Sequence, residues 1–521
     1  MNSYYWTRLI GWLYGWLYGW DTTNVVRWQY GAETVEVVLD FLHSGISGQK
    51  VTLVRMLDDK YFSNQTTTDN GTHQALHLYE KAPDKDLSQM TVLTVAAVQL
   101  PEELEAAILD FHATHDDYYI RTVSYEQYNT ADEPDKGYQL FMTDLTTGIL
   151  QADILYGSTY DAIDLYPLMT GDVQKEDIAP AVRRSLEVDG KLTSIGPTFR
   201  VSTLVGKTGV VPERFTLSEF LDYAEGLSAD EHLMEEMGWQ NADSMLFGNA
   251  GYASFLQNGK ATFDDPLFTR LLTFLSTLSE NGEKYMDEGV DNSNMVLAGE
   301  ISEAQLQVES GGENLYWNGK IKFTWDPLLN TPNQLLKQYA RFGTTGITLP
   351  GYPTVADENG VRVSCGGIYA ITNTCQSPAV AWEFIESILQ NAAELPVTDL
   401  QGNVNLRESF TTLTKPYMDY LENLRGLRMV VTEGNKFYAG MDVDEKGQYM
   451  GKPGMVLEVG DALIEDIRWI YEEAGGLHGY SSDIYQIVWE EVSRYLAGGC
   501  DAATCAQAVQ SRVGLYLAEN S

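Results

Sequence analysis

Residues 90–112 read MTVLTVAAVQLPEELEAAILDFH and determine the fold class of most of this chain. The apolar run VLTVAAV has the length and composition of a buried strand. After a proline, Leu104, Ile108 and Phe111 are spaced so that they share one face of a helix. The stretch therefore predicts a strand that leads into a helix, which is how an α/β domain begins.

The same alternation continues along the chain. A second strand is predicted over YYIRTVSYEQY, a second helix over 137–151 and a third strand over ADILYGS. This β-α-β-α-β order predicts an open sheet with crossover helices. Ligands of such sheets bind at the carboxyl ends of the strands, so Gln99 and the segment that ends in Tyr160 are expected at the mouth of a site.

The first 88 residues have a different pattern. The runs ETVEVVLDFL, KVTLVRML and ALHLYEK are rich in valine and are separated by Gly-, Asn- and Asp-rich segments, as in antiparallel strands joined by turns. Three or four strands make a marginal sheet, so we expect part of a larger all-β domain, such as a propeller blade. Because the first residues lack the features of a signal peptide, we also expect Met1 not to be the start of the whole polypeptide.

Composition limits the choice of partners. The chain has 521 residues, 44% of them hydrophobic, with 34 basic and 74 acidic residues and a net charge of −40. This is the composition of a folded globular protein. Its charge repels nucleic acids and anionic membrane surfaces, so neither is an expected partner.

Motifs for metals, nucleotides and catalysis are incomplete. GKT at 206–208 lacks the glycine of a phosphate loop, because Val201 occupies that position. DVDEKG at 442–447 opens like a calcium loop but has Pro453 at the twelfth position, where a glutamate is required. We predict no cofactor and no metal site. Paired carboxylates leave a glycosidase open, but 74 acidic residues supply such pairs by chance, and we favour binding over catalysis.

The cysteines are Cys365, Cys375, Cys500 and Cys505. Their spacing does not fit a zinc site. Each neighbouring pair could form a disulfide in an exported protein or remain as two thiols, and the sequence leaves both alternatives open.

Several segments resemble the extracellular solute-binding proteins of bacterial ABC importers, in the class that captures sugars and oligosaccharides. The stretch from VLTVAAVQLPEEL to TVSYEQYN is similar to that family's first strand, first helix and second strand. VRRSLEVDGKLTSIGPTF is similar to the crossing from the first lobe into the second, and FTLSEFLDYAEGL to a helix that follows it. NGKATFDDPLFTRLLTFL, TGITLPGYPTVADENG and AVAWEFIESIL come next in the family's order, so the resemblance covers roughly residues 90–521.

The resemblance implies an α/β, two-lobed periplasmic-binding-protein-like fold with a hinge, preceded by the all-β region over 1–88. The solute-binding domain would span 89–521. Lobe 1 would hold mainly 89–197 with segments returning after about 360, and lobe 2 mainly 198–355 with the C-terminal helices. The expected protein is an extracellular monomer, not an enzyme, that delivers its ligand to ABC permease subunits, although no export signal is evident in the chain.

A sugar site needs flat aromatic rings for the apolar C–H faces of the sugar and polar side chains for its hydroxyl groups. We looked for such residues in loops and at strand ends, where ordinary packing is the alternative role for each of them. The predicted ligand-binding residues are Gln99, Tyr160, Phe199, Arg200, Trp239, Trp317, Trp325, Asp326 and Tyr369.

Two other functions fit the sequence. The same fold could bind a non-sugar solute, such as a peptide or an aromatic compound, and a cleft lined by charge would favour that function. The chain could instead be a cell-surface sensor or adhesion module whose N-terminal β region binds a partner. A self-sufficient N-terminal domain with its own ligand would favour the last alternative.

Overall fold

The structure of the chain is a computed structural model. It describes residues 8–282, 315–475 and 482–520, except for internal gaps at 14, 22, 33, 57–60, 69–72, 81–86, 248–250, 258, 317, 343–345, 356–358, 398–405, 407, 433–435 and 440–453.

Strands and helices are numbered separately along the chain. The strands are β1 Arg8–Leu13, β2 Trp16–Trp20, β3 Asn24–Trp28, β4 Glu36–Asp40, β5 Val51–Met56, β6 Tyr61–Thr68, β7 His73–Glu80, β8 Thr91–Ala97, β9 Tyr118–Ser124, β10 Ile154–Tyr156, β11 Glu187–Val188, β12 Lys191–Leu192, β13 Thr198–Lys207, β14 Leu256–Gln257, β15 Lys260–Ala261, β16 Phe323–Leu329, β17 Ile347–Thr348, β18 Arg362–Gly366, β19 Tyr369–Ile371, β20 Arg428–Thr432, β21 Lys436–Ala439 and β22 Gly454–Glu458. The helices are α1 Glu102–Thr114, α2 Lys136–Thr146, α3 Pro180–Leu186, α4 Leu217–Glu225, α5 Trp239–Leu246, α6 Pro266–Ser276, α7 Pro332–Phe342, α8 Pro378–Ala393, α9 Thr414–Asn423, α10 Asp461–Glu473, α11 Ser482–Leu496 and α12 Ala502–Glu519.

The chain divides into two compact units. The first contains Met1–Asp172, Lys191–Ile195 and Gly367–Ile388, and the second contains Val173–Gly190, Gly196–Gly366 and Leu389–Ser521. Each unit is therefore assembled from separate stretches of the chain, and the first unit contains the N-terminal β region.

In its described residues the N-terminal region forms β-strands, as predicted, with a short 3₁₀ turn at Gly48–Lys50. β1 to β4 form one antiparallel sheet in chain order, and β5 to β7 form a second. A small apolar core contains Trp20, Val25, Phe41, Val51 and Val54. The region has more strands than the three or four expected, because the Gly- and Trp-rich start alone supplies β1 and β2, which pair through Trp12 and Leu17.

The N-terminal β region also packs against the α/β part of the same unit. The ring of His43 shares a hydrogen bond with the hydroxyl of Tyr119, and the two ring centroids lie 5.5 Å apart. His112, in the last turn of α1, stacks on Tyr119 at 4.9 Å. At the first turn of α1, Lys50 Nζ lies 3.9 Å from Glu102 Oε1. The contacts therefore reach the first turn of α1 directly and His112 of its last turn through Tyr119 of β9.

The α/β sheet of the first unit has the strand order β19-β10-β8-β9. β8 runs parallel to β9 over seven residue pairs, from Thr91 with Tyr118 to Ala97 with Ser124, and it also runs parallel to β10. α1 and α2 provide the two crossovers. Leu104, Ile108 and Phe111 are all buried. The predicted β-α-β-α-β order is confirmed.

The second crossover helix is shorter than predicted. α2 ends at Thr146 rather than at residue 151. Gly148 has a φ of +75°, which is left-handed backbone that ends a helix. Ile149 is 73% exposed, so it does not continue the buried face of the helix.

The second unit is organised around β13. This strand pairs antiparallel with β16, β17 and β18. One large apolar core joins this sheet to α4, α5, α6 and the two C-terminal helices, through residues such as Leu204, Phe220, Leu271, Val488 and Val509. At the start of α4, the Thr216 hydroxyl accepts a hydrogen bond from the Glu219 N–H, and the Glu219 carboxylate accepts one from the Thr216 N–H. The two bonds stabilise this end of the helix.

All four cysteines are free. Within the described residues, no helix combines the length and the apolar character needed to cross a membrane. The described part of the chain also contains no group of three His, Cys, Asp or Glu side chains that could hold a metal ion.

Two carboxyl groups of the second unit are bonded to tyrosine hydroxyls. Tyr485 Oη donates to Asp243 Oδ2 at 2.6 Å, and Tyr339 Oη donates to Asp466 Oδ2 at 2.6 Å. Asp243 is 6% exposed, and its Oδ1 has no hydrogen-bond partner among the described residues. Burial raises the pKa of Asp243 to about 6, although the tyrosine bond opposes the shift, and burial likewise raises the pKa of Asp466 to about 6.

These raised pKa values make the stability of the chain depend on pH. Between the ordinary pKa of 3.8 and the folded value of about 6, folded Asp243 keeps a proton that the unfolded chain has released. The free energy of unfolding therefore falls as the pH rises through this window and stays lower above it. The side chain introduced in Asp243→Asn stays neutral at every pH, so in this variant we expect a smaller decrease in the free energy of unfolding as the pH rises. The decrease that remains comes from Asp466.

Urea unfolding of wild type and variant at about pH 4 and about pH 8 measures the difference. Asp172→Asn removes an equal charge from an exposed side chain and should keep the wild-type pH dependence. An Asp243→Asn variant with the same fall in stability as the wild type would contradict the assignment.

Candidate functional site

The carboxyl ends of three parallel strands meet at one edge of the first unit's sheet. β8, β9 and β10 all run in the same direction, so the residues that follow them lie along this edge. β19 runs antiparallel to β10 and pairs Tyr369 with Tyr156, so the chain enters β19 at the same edge. We refer to this region as the carboxyl edge and define it by Gln99, Tyr156, Tyr160 and Gly367.

Two glycines shape the backbone of the carboxyl edge. Gly157 has a φ of +80° and donates its N–H to the Ile368 carbonyl at 2.9 Å. Gly367 has a φ of +59°, and a Cβ placed on it would lie 2.9 Å from Tyr156 Oη. The tyrosine side chain therefore lies directly against the Gly367 backbone, and only glycine leaves room for it.

Two tyrosines form the base of the edge. The rings of Tyr156 and Tyr369 meet edge to face, with their centroids 5.2 Å apart. Burial raises the pKa of Tyr156, and the negative charge of Glu103 raises it further. Burial also raises the pKa of Tyr369, with smaller contributions from Tyr156 and Glu103. Both hydroxyl groups therefore stay protonated at neutral pH and can donate hydrogen bonds.

Two predicted residues lie open to solvent at this edge. Tyr160 follows β10 and is 41% exposed, and its N–H donates to Ser158 Oγ at 3.3 Å. Gln99 follows β8 and is also exposed. Tyr369 is only 3% exposed, so the edge offers an exposed ring, a carboxamide and the half-buried Tyr156 hydroxyl, a set that suits an uncharged polar solute.

The predicted residues of the second unit have different surroundings. Phe199 is 1% exposed and packs against Phe410 and Tyr471, with ring centroids 5.6 and 4.9 Å away. Arg200, the next residue on β13, is exposed and donates from Nε to Ser364 Oγ at 3.1 Å.

Trp239 begins α5, and its ring centroid lies 5.7 Å from that of Trp489 on α11. Trp317 lies outside the described residues. Trp325 and Asp326 belong to β16, where they pair with Leu204 and Thr203, but their side chains are outside the described part of the structure.

The structure therefore brings three of the predicted residues, Gln99, Tyr160 and Tyr369, to one sheet in the first unit. It adds Tyr156, Gly367 and Glu103, which sequence reasoning missed. The signal for the glycine was present in the CGGIY segment, where two adjacent glycines precede a strand. Tyr156 gave no such signal, because it continues the apolar run of its strand.

Comparisons with known proteins give a likeness in structure. No protein-family model and no curated protein matches the chain. Among similar solved structures is an extracellular solute-binding protein family 1 from Alicyclobacillus acidocaldarius, with 14% identity and a TM-score of 0.43, covering 82% of this chain and 98% of that one. The sugar-binding protein MalE from Xanthomonas citri has 14% identity and a TM-score of 0.46, covering 82% and 98%.

A solute-binding protein from Thermotoga lettingae bound to α-D-tagatose has 13% identity and a TM-score of 0.38, covering 82% of this chain and 100% of that one. Several solved structures similar to the chain are solute-binding proteins, the family that the sequence resembles. At these identities and TM-scores the likeness assigns neither a ligand nor a function.

The contact between Gly367 and Tyr156 predicts the effect of a methyl group. Gly367→Ala places a side chain on left-handed backbone and pushes the Cβ against the tyrosine hydroxyl. We expect a loss of about 1–2 kcal/mol in the free energy of unfolding from the backbone alone, and a further loss from the displaced ring. Urea unfolding and the near-ultraviolet circular dichroism of the tyrosines measure the two effects.

Gly157→Ala is the matched control, because Gly157 has a similar φ of +80° and open space where its Cβ would lie. It should lose stability through its backbone only. If both variants lose equal stability and both keep the wild-type tyrosine spectrum, this would contradict a close contact between Gly367 and Tyr156.

Proposed function

We propose that this chain is an extracellular, non-enzymatic solute-binding protein that captures a sugar or oligosaccharide for uptake by an ABC importer. The observation that carries the proposal is the position of Tyr160. Its exposed ring lies on the loop that leaves β10, four residues after Tyr156, whose ring packs against Tyr369. The sequence resemblance over residues 90–521 supports the same function.

The chemistry of the carboxyl edge favours a carbohydrate over other solutes. An exposed tyrosine ring covers the apolar C–H face of a sugar, while the protonated Tyr156 hydroxyl and the Gln99 carboxamide bind its hydroxyl groups. A net charge of −40 disfavours anionic ligands such as phosphates and nucleotides.

The division of the chain supports capture by two lobes. We propose that lobe 1 consists mainly of 89–197 with the segments after about 360, and that lobe 2 consists mainly of 198–355 with the C-terminal helices. The repeated passage of the chain between two compact units supports this division. Phe199, Arg200, Trp239, Trp317, Trp325 and Asp326 are proposed to contribute to the ligand site from lobe 2.

Isothermal titration calorimetry with a panel of neutral mono- and oligosaccharides tests the proposal. We expect saturable binding of at least one sugar by the full chain. In Tyr160→Ala the Kd for that sugar should rise about tenfold or more, because an aromatic anchor at a binding site typically contributes at least 1.4 kcal/mol. Tyr160→Phe keeps the ring and should retain most of the affinity.

Leu515→Ala is the control, since it truncates an exposed apolar side chain on α12, 61% accessible, that belongs to no proposed binding surface. The bound sugar should be recovered intact after prolonged incubation. Three results would contradict the proposed function: no binding of any sugar in the panel by folded protein, a wild-type Kd in Tyr160→Ala, or hydrolysis of the sugar.

A further inference from the structure

The first sheet of the N-terminal region carries a row of aromatic side chains on one face. Trp12 of β1 pairs with Leu17 of β2, and Leu17 pairs with Trp28 of β3. Residues that are directly opposite on paired strands lie on the same face of a sheet. The two indoles therefore stand in one cross-strand row, two strand spacings or about 10 Å apart.

A third ring extends this row, which we call the aromatic row and define as Trp12, Trp28 and Tyr30. Tyr30 lies just beyond the end of β3, and its ring meets that of Trp28 edge to face at 6.0 Å. Trp12 is 58% exposed and Tyr30 is 85% exposed. The Trp28 Nε1–H donates to the Ala32 carbonyl at 2.8 Å, which fixes the orientation of that indole.

The aromatic row lies on the opposite face from the core and from the nearest ion pair. Trp20, which belongs to the N-terminal core, is three residues from Leu17 on the same strand and therefore faces the other way. Tyr18 pairs with Arg27, and Arg27 pairs with Glu36, so that ion pair also lies on the core face. Among the described strand pairs, those on the row's face contain no charged side chain.

We propose that the aromatic row is a second carbohydrate-binding surface, which takes a neutral polysaccharide chain along the sheet. Separate rings about 10 Å apart, with the smaller Leu17 between them, match the C–H faces of alternate rings in an extended chain of sugars. The uncharged face excludes an ionic mode of recognition, and the net charge of −40 repels anionic polymers.

The exposed area argues against a protein partner. Aromatic side chains bury about 150–250 Å² each, so three partly exposed rings offer less than about 500 Å². A stable protein–protein interface needs about 800 Å² from each partner. The row is thus too small to hold a second copy of the chain, but it is large enough to retain a polymer that presents many repeats of the same sugar.

A pull-down of the full chain with insoluble neutral polysaccharides tests this surface. The three polymers are microcrystalline cellulose, chitin and granular starch, and the protein left in solution is measured. We expect retention on at least one of them. Trp12→Ala and Tyr30→Ala should each weaken the retention about tenfold or more, as truncation of an aromatic anchor does. Trp12→Phe should keep more of it than Trp12→Ala.

Tyr138→Ala, which truncates a tyrosine that is 55% exposed on α2, is the matched control and should be retained like the wild type. Thermal melts confirm that each variant is folded. Trp12→Ala should leave the calorimetric binding of soluble sugars unchanged, and Tyr160→Ala should leave retention unchanged, so this surface and the carboxyl edge can fail independently.

Three results would overturn the proposal. The first is no retention of folded wild-type chain on any of the three polymers. The second is retention that Trp12→Ala and Tyr30→Ala leave unchanged. The third is a change in solution mass, measured by light scattering, on truncation of Trp12, which would make the row an interface between copies of the chain.

Discussion

Parallel pairing of β8 with its two neighbours is the constraint on which the first unit depends. Two parallel strands cannot be joined by a tight turn, so the chain must return through α1 and α2 to start each new strand at the same side. The carboxyl ends of β8, β9 and β10 then have to meet at one edge of the sheet. The residues that follow each strand there no longer pack within the sheet. The positions of Gln99, Tyr156 and Tyr160 follow from this geometry rather than from any local preference of their own.

The N-terminal β region is attached to this frame at β9 and at the first helix. His43 meets Tyr119, which is the second residue of β9, and Lys50 lies near Glu102 at the opposite end of α1. The exposed Lys50–Glu102 pair contributes little to stability. The buried ring of Tyr119, held between His43 and His112, is the stronger contact. A region with its own core and its own exposed rings is thus held in the same unit as the proposed sugar site.

Sequence reasoning succeeded where one pattern determined one structure. The run VLTVAAV and the spacing of Leu104, Ile108 and Phe111 specify a buried strand and an amphipathic helix, and both form where they were expected. The end of α2 was placed too late, because the left-handed conformation of Gly148 depends on backbone geometry rather than on hydrophobic spacing.

The candidate site was harder to predict, because strand register decides which way a side chain points. Phe199 and Arg200 are neighbours on β13 and were predicted together, yet one is buried among aromatic rings and the other is exposed. Tyr156 was missed because its role comes from the close approach of Gly367, which is 211 residues away in the chain by number. Contacts of that kind arise only when the sheet is assembled.

Hydrogen–deuterium exchange of the full chain, with and without a saturating sugar from the neutral panel, tests the central claim most directly. If the carboxyl edge binds the ligand, exchange should slow in the backbone segments 98–103 and 156–161 and around residue 367. Slowing confined to other parts of the chain, with these three segments unchanged, would contradict the assignment of the site.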